Sequence, residues 1–336
     1  MTVVPRIDVA PLLEGRDIER VAENIDRACR DIGFFSVVNH GVDSTLCTRL
    51  DALAREFFSR PETEKQRVAM IHAGTAWRGW FPLHGELTSG TPDHKEGYYF
   101  GRELGPEDPR VRARVPLHGP NLWPDEPAAI RPVLIEYLDA LENLGQHLTR
   151  AISVALGLGP DTLPDRWFRD PTILLRLFRY PPFAPDAPQK GVGEHTDYGF
   201  LTLLWQDESG GLEVRTDDGW IEVPPDPTAF VCNIGDMLDR LTSGRYRSTP
   251  HRVQSPRTRD RISVPFFFDP GWDARIGALP FRGAPPAAET AHRWDNANVH
   301  AVEGTYGEYL LGKVAKVFPD LGAAVLRPGS DSGSDG

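Results

Sequence analysis

From Pro171 onward, the sequence breaks into short apolar and aromatic runs separated by glycine, proline and aspartate. Such runs occupy residues 173–180, 200–205, 219–223, 230–234 and 261–268. Runs of this length are typical of β-strands, and closely spaced turn residues favour a sandwich, a jelly roll or a barrel over a parallel α/β sheet. This half of the chain is therefore expected to form a β core.

The first half of the chain instead shows apolar residues at helical spacing. Amphipathic patterns begin near Ile18, Leu46 and Ala128, and the third ends at the stop signal Gly157-Leu158-Gly159-Pro160. A final helical pattern covers residues 306–317. The chain is therefore expected to be mixed α/β, with helices that buttress a mainly β core.

These patterns divide the chain into unequal regions. We expect an N-terminal helical region with edge strands over residues 1–165, packed on a β core over residues 166–326. The last segment, residues 327–336, reads RPGSDSGSDG. It is too polar and too rich in glycine and serine to fold, so we expect it to be disordered.

The charge balance limits the classes of partner. Aspartate and glutamate number 48 against 37 lysine and arginine residues, which gives a formal charge of −11. Nucleic acid and anionic membranes would be repelled by this charge, and no stretch reaches the roughly 18 to 20 apolar residues of a membrane span. The N-terminus also lacks the layout of a signal peptide. We expect a cytoplasmic protein that acts on a small molecule, without nucleic acid, membrane or an obligate protein partner.

The segment Gly193-Glu194-His195-Thr196-Asp197 lies where a strand is expected, so the side chains of His195 and Asp197 project from one face. His251 follows several strands later, and a barrel can bring such distant segments together. Two imidazoles and one carboxylate form the facial triad of non-haem iron(II), which leaves adjacent coordination positions open. The sequence therefore predicts a catalytic iron site.

A second polar pair lies in the last apolar run, where Arg261 and Ser263 share a strand face. A guanidinium beside a hydroxyl suits the distal carboxylate of a small dicarboxylate ligand, although an arginine paired with a structural aspartate is the alternative. Alternation also places Phe267 on that face. It is a candidate wall of the active-site cavity and a candidate substrate contact, with simple core packing as the alternative.

The run from His195 to Pro270 resembles the core of the iron(II)/2-oxoglutarate-dependent dioxygenases of the isopenicillin N synthase type. Residues 5–8 (PRID), 33–41 (GFFSVVNHG) and 92–96 (PDHKE) resemble the family's opening strand, N-terminal signature and middle motif. The resemblance covers residues 4–321. It implies a double-stranded β-helix, or jelly roll, flanked by N-terminal helices and a C-terminal helix.

The same resemblance implies roles for individual residues. His195, Asp197 and His251 would be the iron ligands. Arg261 and Ser263 would hold the far carboxylate of 2-oxoglutarate.

Tyr180 corresponds to a family position whose hydroxyl points into the site. The implied reagents are iron(II), 2-oxoglutarate as cosubstrate and dioxygen, with release of succinate and CO2. Hydroxylation of a small molecule would be the usual outcome, with desaturation or cyclisation as others. The family's habits and the composition suggest natural-product or secondary metabolism, antibiotic biosynthesis included.

The segment Trp77-Arg78-Gly79-Trp80-Phe81, together with Glu86, resembles the family's substrate-side segment. Arg78 is therefore a candidate partner for a substrate carboxylate. A solvated arginine or one that braces the core is the alternative.

Three other functions remain open at this point. Isopenicillin N synthase keeps an Arg-x-Ser pair without using 2-oxoglutarate, so an iron oxidase is one alternative. An ethylene-forming activity on 2-oxoglutarate is suggested by Asp108-Pro109-Arg110-Val111 followed by His118-Gly119-Pro120. A jelly-roll binding protein without catalysis is the third. Asn233 and Asp236 are expected to fix a turn and to have no part in the chemistry.

Overall fold

The structure is a computed structural model that describes residues 3–183, 191–279, 293, 295–319 and 322–323. The strands are β1 (Arg6–Asp8), β2 (Phe34–Val38), β3 (Gly79–Phe81), β4 (Glu96–Gly101), β5 (Thr172–Tyr180), β6 (Val192–His195), β7 (Leu201–Gln206), β8 (Leu212–Thr216), β9 (Gly219–Glu222), β10 (Phe230–Ile234), β11 (His251–Val253) and β12 (Arg261–Asp269). The helices are α1 (Ala10–Leu13), α2 (Ile18–Asp31), α3 (Ser44–Ser59), α4 (Glu62–Lys65), α5 (Pro109–Arg112), α6 (Ile130–Ala155), α7 (Thr162–Trp167), α8 (Asp236–Leu241) and α9 (Tyr306–Val317). Short 3₁₀ helices cover Gln66–Val68, Met70–Ala76 and Val299–Ala301.

The strands form two sheets. The large sheet has the order β1-β2-β10-β7-β12-β5-β4-β3, and the small sheet has the order β6-β11-β8-β9. Strand β1 pairs with β2 in parallel, while the other ladders of both sheets are antiparallel. The predicted mixed α/β architecture with a jelly-roll core is confirmed. The strands of the N-terminal region form both edges of the large sheet and thus extend the core.

Helix α6 lies across the large sheet, against β7 and β12. Its buried apolar residues recur every three or four positions, which gives the helix one apolar face. The helix ends where Gly157 adopts a left-handed φ of 76°, a conformation that costs glycine little. The predicted helix and its stop signal are therefore confirmed, although the helix begins two residues later than the pattern suggested.

Helix α9 packs against the end of β12, and its bounds match the helical pattern over residues 306–317. A capping box between Thr305 and Glu308 satisfies backbone donors at its start. The hydroxyl of Tyr306 donates a 2.5 Å hydrogen bond to Oδ2 of Asp269, the last residue of β12. The predicted disordered tail at 327–336 lies outside the described residues. Within the described ranges, no helix combines the length and the apolar character needed to cross a bilayer.

Two helical glycines provide a test of how tightly α6 packs. A Cβ atom added at Gly145 would lie 2.7 Å from ring atoms of Phe268, which is fully buried in β12. At Gly312, in α9, an added Cβ atom would have no neighbour within 4 Å.

Gly145→Ala is therefore expected to lower the free energy of unfolding by about 1–3 kcal/mol, because a closely packed ring must move. Gly312→Ala should raise it by up to about 1 kcal/mol, because alanine loses less backbone entropy in a helix. Chemical denaturation of both variants measures the difference. Equal effects at the two positions would show that α6 does not press against β12 as described.

Candidate active site

The pairing of β6 with β11 brings the two histidines of the predicted triad together. His195 and His251 are cross-strand partners, and their ring centroids lie 4.3 Å apart. Asp197 follows two residues after His195, and its Oδ1 lies 3.9 Å from His195 Nε2 and 3.7 Å from His251 Nε2. Each of the three residues offers a ligand atom, and these atoms all lie within 4.8 Å of one another. The structure therefore brings the predicted ligands to one point.

Backbone carbonyls orient both imidazoles. His195 Nδ1 lies 2.8 Å from the carbonyl oxygen of Gly193, and His251 Nδ1 lies 3.2 Å from that of Thr249. A carbonyl only accepts, so Nδ1 donates in each case and Nε2 keeps its lone pair. These lone pairs are available at the point where the Asp197 carboxylate also lies, as metal coordination requires.

The carboxylate of Asp197 is held from its other side. Its Oδ2 accepts hydrogen bonds from Thr202 Oγ1 at 2.5 Å and from Asn233 Nδ2 at 2.7 Å. Thr202 in β7 and Asn233 in β10 are cross-strand partners, which explains why both reach the same oxygen. Oδ1 is thereby left facing the imidazoles.

Asn233 corrects an expectation from the sequence, because it orients a ligand carboxylate and does not merely fix a turn. The sequence held a signal for this role. Asn233 is the one polar residue in the strand Phe-Val-Cys-Asn-Ile, and all five residues of that strand are buried. A buried amide within a strand needs hydrogen-bond partners.

The protonation states favour a divalent cation. Burial, reinforced by the nearby His251, lowers the pKa of His195, so its imidazole is neutral. Burial acts to raise the pKa of Asp197, but the two histidines and the hydrogen bonds from Asn233 and Thr202 bring it below its usual value. Two imidazoles, of which that of His195 is held neutral, and one ionised carboxylate are a donor set that suits iron(II) in oxygenases.

The same cavity contains the predicted Arg261, which is fully buried. Its Nε donates to the carbonyl of Gly210 at 2.7 Å, and its Nη2 donates to Oε1 of Gln206 at 2.9 Å. Its Nη1 is buried and has no hydrogen-bond partner among the described residues. A buried guanidinium donor without an acceptor is costly, so this atom fits a ligand carboxylate.

The other predicted site residues divide into two groups. Tyr180, Ser263 and Phe267 line the cavity, and the guanidinium carbon of Arg261 lies 4.9 Å from the ring centroid of Tyr180. Arg78 is not among the described residues that line the cavity.

Arg78 has the alternative, core-bracing role. Its Nη1 donates to the carbonyls of Arg102 and Gly119 at 2.6 and 2.5 Å, and its Nη2 donates to that of Leu117 at 3.1 Å. Burial lowers its pKa to about 10. The prediction that Arg78 meets a substrate carboxylate is therefore corrected, because both of its terminal nitrogens tie backbone segments together outside the cavity.

The sequence placed Glu86 on the substrate side, but it did not predict the charged cluster that Glu86 forms with Lys95 and Arg176 on the cavity wall. Glu86 and Lys95 are buried, and the side chain of Arg176 is 13% exposed. Glu86 lies in a loop, Lys95 just before β4 and Arg176 within β5, so their spacing in the sequence gives no sign that they meet. The available signal was Arg176 itself, a cation between the apolar residues of β5.

Comparison with known proteins agrees with this geometry. A family model described as the N-terminal part of a non-haem dioxygenase in morphine synthesis matches residues 4–126, and the model of the 2OG-Fe(II) oxygenase superfamily matches residues 171–270. A probable iron/ascorbate oxidoreductase from Dictyostelium discoideum is 43% identical over 91% of each chain. A homoarginine-6-hydroxylase from Arabidopsis thaliana is 34% identical over 95% of this chain and 90% of its own.

Solved structures show the same relationship. A full-length protein from Neurospora crassa, crystallised in complex with alpha-KG and thymine, matches with a TM-score of 0.76 and 28% identity over 93% of this chain and 96% of its own. A 2OG-Fe(II) oxygenase family protein from Caulobacter crescentus matches with a TM-score of 0.78 and 29% identity over 94% and 99% of the two chains.

Fold and site together define a non-haem iron oxygenase. The chain belongs to the iron(II)/2-oxoglutarate-dependent dioxygenases of the 2OG-Fe(II) oxygenase superfamily. It is therefore an oxidoreductase that uses iron(II), 2-oxoglutarate and dioxygen, as the resemblance in the sequence implied.

Removal of the Asn233 amide tests how the carboxylate is oriented. Asn233→Ala is expected to weaken iron(II) binding about 10- to 100-fold, because a residue that supports a metal ligand is lost. Anaerobic titration with iron(II) measures the dissociation constant. Asn143→Ala, on the exposed side of α6, is the matched control and should bind iron normally. Unchanged affinity in a folded Asn233→Ala protein would contradict the orienting role.

Proposed function

We propose that His195, Asp197 and His251 hold the iron(II), and that Arg261 binds the distal carboxylate of 2-oxoglutarate together with Ser263 and Tyr180. One observation carries this assignment. The unpaired Nη1 of Arg261 lies in the cavity where the three candidate ligand atoms converge. A metal chelate at one end and a guanidinium at the other suit a short dicarboxylate that carries a keto group.

The protein's own part in the reaction is to bind, orient and exclude water. When bound, iron with 2-oxoglutarate and dioxygen supplies the oxidising power, and succinate and CO2 are released. Apolar residues of both sheets, among them Leu204, Leu212 and Val253, line the cavity. These walls keep the reacting groups away from bulk water. Phe267 is proposed as part of the wall that contacts substrate.

Hydroxylation of a small organic molecule is the proposed outcome, with desaturation or cyclisation as variants. The names of two relatives support a small-molecule substrate, since they refer to homoarginine and to 1-aminocyclopropane-1-carboxylate. The proposed setting is natural-product metabolism in the cytoplasm, antibiotic biosynthesis included. The support for this setting is a cavity that combines apolar walls with a few charged groups, which suits the tailoring of a small compound.

The alternatives have less support. An oxidase of the isopenicillin N synthase kind also keeps the Arg-x-Ser pair, so the pair alone does not decide between the two functions. The dioxygenase is supported by relatives named 2-oxoglutarate-dependent dioxygenases, together with the unpaired Nη1 of Arg261. An inert binding protein has no need of two imidazoles with oriented lone pairs and an ionised carboxylate at one point. The segment Asp108–Val111, which suggested ethylene formation, lies at the start of α5. Its Arg110 forms ion pairs with Asp108 and Asp170, which is a structural role and does not support that activity.

The cosubstrate assignment is tested by anaerobic reconstitution. Addition of 2-oxoglutarate to the iron(II) protein should give a weak visible charge-transfer band, because the keto acid chelates the metal. Arg261→Gln is expected to raise the dissociation constant for 2-oxoglutarate about 10- to 100-fold, the effect of losing a hydrogen bond to a charged group.

Arg259→Gln is the matched control, because Arg259 lies two residues away on an exposed loop and donates to Ser209. It should leave the titration unchanged. An iron-loaded protein that shows no band, and whose dioxygen consumption does not require 2-oxoglutarate, would overturn the assignment in favour of an oxidase.

A further inference from the structure

The inner face of β5 carries a second arginine, Arg176, at the end of the cavity opposite Arg261. Alternate residues of β5 share this face, and the antiparallel register pairs Tyr180 with Arg261. Arg176 lies four residues before Tyr180, so it is displaced by about 13 Å along the strand. Both arginines line the same cavity. The iron-ligand cluster lines it as well, so the cavity has a cation at each end.

Two aromatic rings fix the position of Arg176. Its guanidinium carbon lies 4.3 Å from the ring centroid of Tyr99 and 4.6 Å from that of Phe267. Such contacts favour a planar cation and restrict its orientation. Arg176 is therefore held in place before any ligand arrives, which reduces the entropy lost on binding.

Within the described part of the chain, this guanidinium donates no hydrogen bond. Among the residues that the structure describes, Arg176 Nε is buried without a hydrogen-bond partner. An ion pair joins Nη1 of Arg176 to Oε1 of Glu86 across 3.6 Å, which exceeds hydrogen-bond distance.

Glu86 makes its short contacts with groups other than Arg176, although its Oε2 has no hydrogen-bond partner among the described residues. The hydroxyl of Tyr99 donates to its Oε1, and Lys95 Nζ lies 2.8 Å from its Oε2. Burial acts to raise the pKa of Glu86, but Lys95 and Arg176 bring it below its usual value, so the carboxylate is ionised.

Lys95, unlike Arg176, donates hydrogen bonds to neighbouring side chains. Besides its contact with Glu86, its ammonium donates to Thr88 Oγ1 at 2.9 Å and to Asp93 Oδ2 at 2.8 Å. Two of the three donors of this ammonium thus have hydrogen-bond acceptors, and the charge is further paired with the Glu86 carboxylate. Arg176 is therefore the cation on this wall that still needs acceptors.

We propose that Arg176 binds a carboxylate of the substrate, which makes the substrate class small carboxylic acids. The planar fork of a guanidinium matches a carboxylate with two parallel hydrogen bonds. A bound acid would reach from Arg176 toward the metal, and Phe267 and Tyr99 would flank its carboxylate end. The inference rests on the proposed function, since it takes the iron to lie at His195, Asp197 and His251, with 2-oxoglutarate at Arg261.

The experiment uses the full-length protein loaded anaerobically with iron(II) and 2-oxoglutarate. The probes are short monocarboxylates, from acetate to phenylacetate, each paired with its primary amide, which has nearly the same shape without the charge. Binding at millimolar concentration is measured by thermal stabilisation and by perturbation of the visible band. In the wild-type protein, at least one acid is expected to bind at least tenfold more tightly than its amide.

Arg176→Gln should reduce the affinity for that acid at least tenfold and leave the affinity for the amide and for 2-oxoglutarate unchanged. Arg176→Lys keeps the charge beside Glu86 but loses the fork, so it should show an intermediate affinity. Arg179→Gln is the matched control. Arg179 lies on the opposite face of β5, paired with Glu96 and Asp260, and its loss should not alter the preference for acids.

The possible results separate this inference from the proposed function. Equal binding of acids and amides, or no binding of any acid, would overturn the substrate class while the 2-oxoglutarate band persists. Loss of the band in Arg176→Gln would assign Arg176 to the cosubstrate and also overturn the inference. Failure of the wild-type protein to give a band with iron bound would instead refute the proposed cosubstrate site itself.

Discussion

The arrangement of this site depends on one carboxylate that is shared between two sheets. Asp197 follows β6 of the small sheet, yet its Oδ2 is held by Thr202 and Asn233 of the large sheet. The remaining oxygen then faces both imidazoles. These two hydrogen bonds therefore join the sheets. They also help to keep the carboxylate ionised, because a buried carboxylate needs hydrogen-bond donors to stay charged. A shift of either sheet would separate Oδ1 from the histidines.

Much of this molecule follows from local patterns in the sequence. The helical repeat predicted α6 and α9, because each helix buries one continuous face. Alternation predicted that Arg261, Ser263 and Phe267 lie on one side of β12, because every second residue of a strand shares a face. The triad was predictable because His195 and Asp197 share a strand face. Its third member, His251, was found only because its residue type fits the chemistry, since the cross-strand pairing with His195 is a long-range contact.

What the sequence did not reveal is how polar side chains are partnered. Arg78 and Arg176 are both arginines in apolar surroundings, but one finds backbone carbonyls and the other finds aromatic rings. That difference arises from loops and strands that meet only in the folded chain. The role of Asn233 was predicted wrongly for the same reason. Its hydrogen-bond partner, Asp197, lies 36 residues away in the sequence. For these residues, the residue type indicated which groups the side chain can bind. The tertiary contacts determined which of those groups it does bind.

The two edges of the large sheet come from the N-terminal part of the chain, and so does most of the charged wall beside Arg176. Tyr99, Glu86 and Lys95 precede α6, whereas all three candidate iron ligands follow it. The iron-ligand cluster thus belongs to the later stretch of sequence, whereas the surface around Arg176 is built from both stretches, because Arg176 and Phe267 also follow α6. Substitutions in the earlier stretch can therefore change the surroundings of Arg176 and leave the three candidate iron ligands in place.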